Sequence, residues 1–224
     1  MEVRPCSMGS CSVRWLLIGL VVATGCSNSS VEQSSDSTVG VEETQPEPIA
    51  VALSLYVLSE AGEPDSSLSS QRTTAELELI ALEMNEIWVQ ANISFDPVIV
   101  HDIAVPAEVL RAIASSRDTG PFFANIGQTF EVPDAGVING FYLRSAGGVN
   151  GFTTSGSRVF FVVDDPSVHD ERVSSHEVGH ILGLHHDLRD AGTLMFSGTN
   201  GMVLSQRETE VARYGAEGIL DGQR

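Results

Sequence analysis

Two aliphatic, β-branched runs, Ile49 to Leu58 and Ile93 to Val100, flank one long helical repeat. Between them Leu77, Ile80, Ala81, Met84, Ile87, Trp88 and Ala91 recur at helical spacing and make one broad apolar face. Thr73 precedes that repeat and Glu76 stands three residues on, the pattern of a capping box. A helix with so wide an apolar face has to cover another layer, and the two flanking runs predict a sheet as that layer. Pro106 suits the first turn of a short helix through Ala114. Residues 116 to 136 hold much Gly, Pro and Asp and read as a loop. Val137 to Arg144 and Arg158 to Val163 read as further strands, and Gly147 to Thr154 as a short, Gly-flanked edge strand. Helices are expected at about 170 to 183 and 205 to 214, on apolar spacing and on the Ser205-x-x-Glu208 capping box. Strands and helices alternate early, so a mixed sheet with helices packed on it is the expected architecture.

No internal repeat and no second linker divides residues 49 to 224, which read as one domain. The segment before it reads as an address. Residues 1 to 14 hold Arg4 and Arg14, and Trp15 to Ala23 is an apolar run too short to span a bilayer as a stable anchor. Residues 1 to 25 therefore read as an export signal. The run ends in Ala23-Thr24-Gly25-Cys26, which resembles a bacterial lipobox with Cys26 as the lipidated residue. That implies a membrane contact through an N-terminal lipid on the cell envelope, with the outer membrane favoured because Ser27 is no retention signal. The rival reading is cleavage after Gly25 and free secretion. Residues 26 to 48 are rich in Ser and acidic residues and read as a tether.

All three cysteines, Cys6, Cys11 and Cys26, lie before residue 27, so the expected domain has no thiol for a disulfide framework or a Cys-based metal site. The formal net charge is −18, and all 12 basic residues are arginine. Such a surface repels polyanions, which argues against a nucleic-acid partner. At long range it favours basic or neutral substrates, an effect that salt screens.

Four of the six histidines fall in one stretch, His176-Glu177-Val178-Gly179-His180-Ile181-Leu182-Gly183-Leu184-His185-His186. His176 and His180 are four apart, so on a helix their imidazoles point from one face toward one ion. Glu177 lies at the rim of that face, placed to reach a water rather than the ion. Gly183 can take a left-handed conformation, end the helix and let the chain turn His186 back to the same point. Three histidines leave a tetrahedral zinc ion one open position, the arrangement of a catalytic rather than a structural site. Beside it a carboxylate serves as general base.

HExxHxxGxxH followed by a methionine turn, here Thr193-Leu194-Met195-Phe196, resembles the metzincin clan of zinc peptidases. The Leu-Met-Phe turn and the helix after it look most like the matrixin-like bacterial branch. The likeness is specific from about 172 to 214 and weaker, though consistent, from 49 to 164. It implies an α+β, sandwich-like zincin fold: a mixed twisted sheet with an antiparallel edge strand, a long helix, an active-site helix and a C-terminal helix. It further implies one zinc ion on His176, His180 and His186, Glu177 as general base and proton shuttle, and Met195 as the floor beneath the metal. The edge strand would bind an extended protein or peptide substrate by β-augmentation. Residues 196 to 203 would wall the pocket. No cysteine-switch motif is present, and no tyrosine closely follows Met195.

The function class expected is therefore a zinc-dependent endopeptidase. The alternatives are a zinc-binding, non-catalytic surface protein on the same scaffold, and a zinc amidase acting on cell-wall material. Several neighbours carry two readings. Asp187 is either an acceptor orienting His186 or a solvated loop residue. Asp164, Asp165 and Asp170 either bind calcium or serve as turn and cap residues. His185 is expected to be an exposed loop residue, and His101 and His169 to be ordinary. No sequence feature specifies an oligomeric state.

Overall fold

The first strand of the sheet, β1 (Ile49–Glu60), alternates its side chains between two separate cores. Val51, Leu53, Leu55 and Val57 enter one core, while Tyr56 and Leu58 enter the other. A strand has a side-chain period of two, so a run apolar at every position is buried on both faces. The computed structural model describes residues 46–129 and 136–222, all within one compact unit, Thr44–Arg224. The export signal 1–25, Cys26 and the tether through residue 45 lie outside the described residues.

β1 is followed by α1 (Thr74–Trp88), β2 (Ile93–Val105), α2 (Ala107–Ser116), α3 (Gly120–Thr129), β3 (Val137–Leu143), β4 (Gly151–Thr153), β5 (Val159–Val163), α4 (Asp170–Ile181) and α5 (Gln206–Leu220). The five strands form one sheet in the order β2-β1-β3-β5-β4. β2, β1, β3 and β5 are parallel, and β4 pairs antiparallel with β5 at the edge through Gly151↔Val162, Phe152↔Phe161 and Thr153↔Phe160. The expected mixed sheet with an antiparallel edge strand is present.

α1 opens on the expected capping box: the Glu76 N–H donates to Thr73 Oγ1 at 3.3 Å, and Glu76 Oε2 accepts from the Thr73 N–H at 2.7 Å. Its apolar face, Leu77, Ile80, Met84 and Trp88, is buried against the first core together with residues of α4 and α5. Burying such side chains contributes about 1.5–3 kcal/mol each in transfer free energy. The second core lies across the sheet, where Val109, Leu110 and Ile113 of α2 meet Phe122 and Ile126 of α3. Phe122 packs edge-on to Phe141 and Phe161 at centroid distances of 4.8 and 5.3 Å. On the edge strand Phe152 stacks on Phe161 at 4.7 Å.

The structure corrects three expectations. Residues 116 to 136 are not all loop: α3 occupies Gly120–Thr129, because Phe122 and Ile126, four apart, find a hydrophobic seat that a Gly- and Pro-rich local sequence does not announce. β2 runs on to Val105, since Ile103 and Val105 enter the second core. α5 continues to Leu220, held by Ala212, Ala216 and Ile219 in the first core. The domain's entry is tied down as well: Asn92 Nδ2 donates to the Pro46 carbonyl at 2.6 Å, and Arg213 Nη2 to the Glu47 carbonyl at 2.7 Å.

Candidate metal centre and its cleft

α4 brings His176 and His180 onto one face, and Gly183 ends the run at φ +97°. That conformation is rare for any residue with a side chain, which is why glycine stands there. The turn it makes returns His186 to the helix. His186 Nε2 lies 3.1 Å from His176 Nε2 and 3.2 Å from His180 Nε2.

The outer ring nitrogens fix the tautomers. His176 Nδ1 is 2.8 Å from the Leu194 carbonyl oxygen, and His180 Nδ1 is 3.0 Å from that of Leu184. A carbonyl only accepts, so Nδ1 carries the proton in both rings and Nε2 presents a lone pair. Lone pairs so close together repel one another, and a cation between them removes the conflict. Tetrahedral nitrogen ligands about 2.0–2.1 Å from zinc stand about 3.3 Å apart, close to the spacing found here. The donor set fits a zinc ion. Among the described residues these three histidines are the one group of three or more His, Cys, Asp or Glu side chains gathered this closely.

Burial holds His176 well below the usual imidazole range, at about 3, and the Leu194 carbonyl opposes the shift only in part. Burial also lowers His180. Both rings are therefore neutral at physiological pH, the state a metal ligand requires.

Glu177 points its carboxylate toward the edge strand. Thr153 Oγ1 on β4 is 2.8 Å from Glu177 Oε2 and 3.1 Å from the Glu177 backbone carbonyl. Burial pushes the Glu177 carboxyl up to about 7, while the Thr153 hydrogen bond and the Arg172 charge pull it down. Gly151 leaves room for the Glu177 stem: a Cβ there would lie 3.1 Å from Glu177 Cγ and 2.9 Å from Val173 Cγ1. Thr153, Gly151 and Arg172 were not singled out from sequence. The only hint of the first two was the Gly-flanked edge strand itself.

Met195 is fully buried, with Sδ only 2.7 Å from where a Cβ on Gly179 would stand. Its thioether thus lies against the helix backbone between the first two histidines. Arg172 secures the same turn from behind. Its guanidinium donates to the carbonyls of Leu194 (2.8 Å), Phe196 and Gly201.

A cleft of about 950 Å³ opens over the histidines, lined on one side by β4 with its flanking loops and on the other by Ser197 and Gly198. The stretch 196 to 203 therefore does supply part of a wall. His185 is exposed and stands outside the histidine triad.

Asp187 takes the solvated loop reading. Its carboxylate bonds the Arg189 N–H and guanidinium at 2.6–3.2 Å, and these bonds lower it to about 2. Asp164, Asp165 and Asp170 all have partners within the chain. Asp164 accepts from Ser70 Oγ (2.6 Å), the Gln71 N–H (2.7 Å) and Arg144 (3.3 Å). Asp165 faces Arg144, and Asp170 pairs with Arg72 at 2.5 Å. His101 stacks on Tyr56 and His169 faces Glu171, both outside the centre.

No family model matches the chain, and no curated protein matches it in sequence. Solved structures do match. Archaemetzincin from Methanopyrus kandleri aligns over 75% of this chain and 96% of its own at 14% identity, with a TM-score of 0.51. Metalloproteinase-II from Bacteroides fragilis aligns over 75% of this chain and 53% of its own at 12% identity, with a TM-score of 0.49. Archaemetzincin from Archaeoglobus fulgidus, complexed with malonate, aligns over 71% and 99% at 13% identity, with a TM-score of 0.44. At such identities a likeness speaks to fold alone, and on the first of these alignments the chain shares the fold of archaemetzincin.

Proposed function

We propose that this chain is a zinc-dependent endopeptidase of matrixin-like character. The observation that carries the reading is the convergence of three imidazole Nε2 lone pairs at the floor of an open cleft, with the Glu177 carboxyl on the same helix. His176, His180 and His186 would hold the ion. When bound, zinc supplies a Lewis acid that polarises a carbonyl and acidifies water.

Everything else falls to the chain's own side chains. Thr153 holds Glu177 Oε2, which leaves Oε1 to take a proton from the attacking water and return it to the amide nitrogen as the C–N bond breaks. A carboxyl raised by burial is well matched to that exchange near neutral pH. Among the described residues β4 pairs with β5 alone, so its other side offers backbone groups to an extended peptide. Gly179 lets Met195 lie beneath the first two histidines, and Arg172 keeps that turn in place.

The decisive experiment compares Glu177→Ala with the parent on peptide and protein substrates. The variant should retain one zinc per chain and lose cleavage. Undiminished cleavage refutes the role of Glu177, and parent protein that binds zinc but cleaves nothing refutes the enzyme. We also propose that the protein is exported and lipid-anchored to the cell envelope through Cys26. Fatty-acid labelling that persists in Cys26→Ser refutes that.

A further inference from the structure

The cleft has the wrong charge for the chain that contains it. The protein holds 30 acidic and 12 basic residues, yet among the described residues one acidic side chain, Glu177, lines the cleft and three arginines do, Arg117, Arg158 and Arg172. Arg172 is occupied by backbone carbonyls. Arg117 and Arg158 have no side-chain partner among the described residues, whereas Arg72, Arg144 and Arg189 all face aspartates. Arg158 is half-buried and its Nε is shielded from solvent with no hydrogen-bond acceptor. The charge of a half-buried guanidinium with no carboxylate beside it is uncompensated, and an acidic ligand group would supply the missing partner.

The two free arginines are also placed at opposite ends of the edge strand. Arg117 Cγ lies 3.6 Å from where a Cβ on Gly147 would stand, just before β4. Arg158 follows the Thr154–Ser157 turn, just after it. Residues 148 to 154 span about 20 Å when extended, so a peptide lying along β4 passes one guanidinium near each end. The low-dielectric walls of a cleft strengthen such contacts, and guanidinium forks match carboxylates in geometry.

We propose that the cleft selects acidic peptides, with Arg158, and secondarily Arg117, receiving an Asp or Glu side chain of the substrate segment that lies along β4. This deepens the peptidase reading and rests on it for the pose. It also reverses the expectation from net charge: long-range repulsion is screened beyond about 8–10 Å at ordinary ionic strength, while contacts inside the cleft persist.

The test uses the zinc-loaded full chain and a peptide panel in which each position in turn holds Asp, Asn or Lys. Cleavage is followed by fluorescence, and binding to the Glu177→Gln protein by anisotropy. At one or more positions Asp should be preferred over Asn by roughly tenfold, and Lys disfavoured further. Arg158→Glu should invert the order of Asp and Lys at the position Arg158 serves, and Arg117→Glu the order at the other end. The wild-type panel stands even if either variant fails to fold. Cleavage without an acidic preference overturns this inference and leaves the peptidase. Preferential binding of acidic peptides without cleavage by the parent overturns the peptidase and leaves the cleft's selectivity. Neither binding nor cleavage overturns both.

Discussion

Replacing Gly215 by alanine should lower the melting temperature and loosen the metal site, although alanine is the better helix former. Gly215 lies in α5 where that helix meets the end of α4. A Cβ there would stand 2.1 Å from the Leu182 carbonyl oxygen, 2.7 Å from its carbonyl carbon and 2.8 Å from its Cα. These are backbone atoms, so no rotamer change relieves the contact, and the helices must separate by about 1 Å to restore van der Waals distance. Overpacking of this kind costs about 3 kcal/mol at the upper end of its usual range. Alanine recovers about 1 kcal/mol of helix propensity. The net loss of about 2 kcal/mol corresponds to a fall of roughly 4–8 °C in a domain of this size. Leu182 lies between His180 and the Gly183 turn, so the same displacement moves His186 relative to the other two ligands. Zinc affinity should therefore fall as well, by about tenfold or more. Calorimetry and a competitive zinc titration read the two effects. An unchanged or raised melting temperature would show that α5 does not rest on Leu182, and the seating of α4 described above would be wrong.

Thr153→Val removes the donor to the Glu177 carboxylate and should lower kcat by about tenfold or more with little change in KM, on the usual strength of a hydrogen bond to a charged group. Thr153→Ser should recover most of that loss, and a kcat unchanged in the valine variant would refute the positioning role. Ser205→Ala breaks the α5 capping box and should cost about 1 kcal/mol, read by urea denaturation. Zinc at about 100 times its dissociation constant should stabilise the fold by about 2.7 kcal/mol, so a chelator should lower the melting temperature and His186→Ala should abolish the response.

The metal centre was legible because its code is local. Eleven residues contain a helical pair of histidines, a glycine that ends the helix and a third histidine one turn on, and local geometry alone makes them converge. The strands were legible for a similar reason, since β1 and β5 are apolar at nearly every position. What the sequence hid is long-range. Thr153 reaches Glu177 across 24 residues, and Asp164 meets Ser70 across 94. Neither pair has a spacing that predicts it. α3 was hidden for the opposite reason: its local signals, Gly120, Pro121 and Gly127, speak against a helix, and only the seat for Phe122 and Ile126 outweighs them. Asp187 was legible as a candidate acceptor, but Arg189, two residues on, takes it more readily than any group farther away.

Phe152 and Thr153 are consecutive residues on the edge strand, so they act on opposite sides of the sheet. One is a pin in the phenylalanine stack, and the other grips the carboxyl beside the histidines. β4 is only three residues long and gains little rigidity from its own pairing, so it inherits its exact position from that stack. The layer of α2 and α3, on the far face of the sheet, thereby acts as the mount on which the Glu177 carboxyl is aligned. Trimming Phe122 should blunt turnover well before it unfolds the chain.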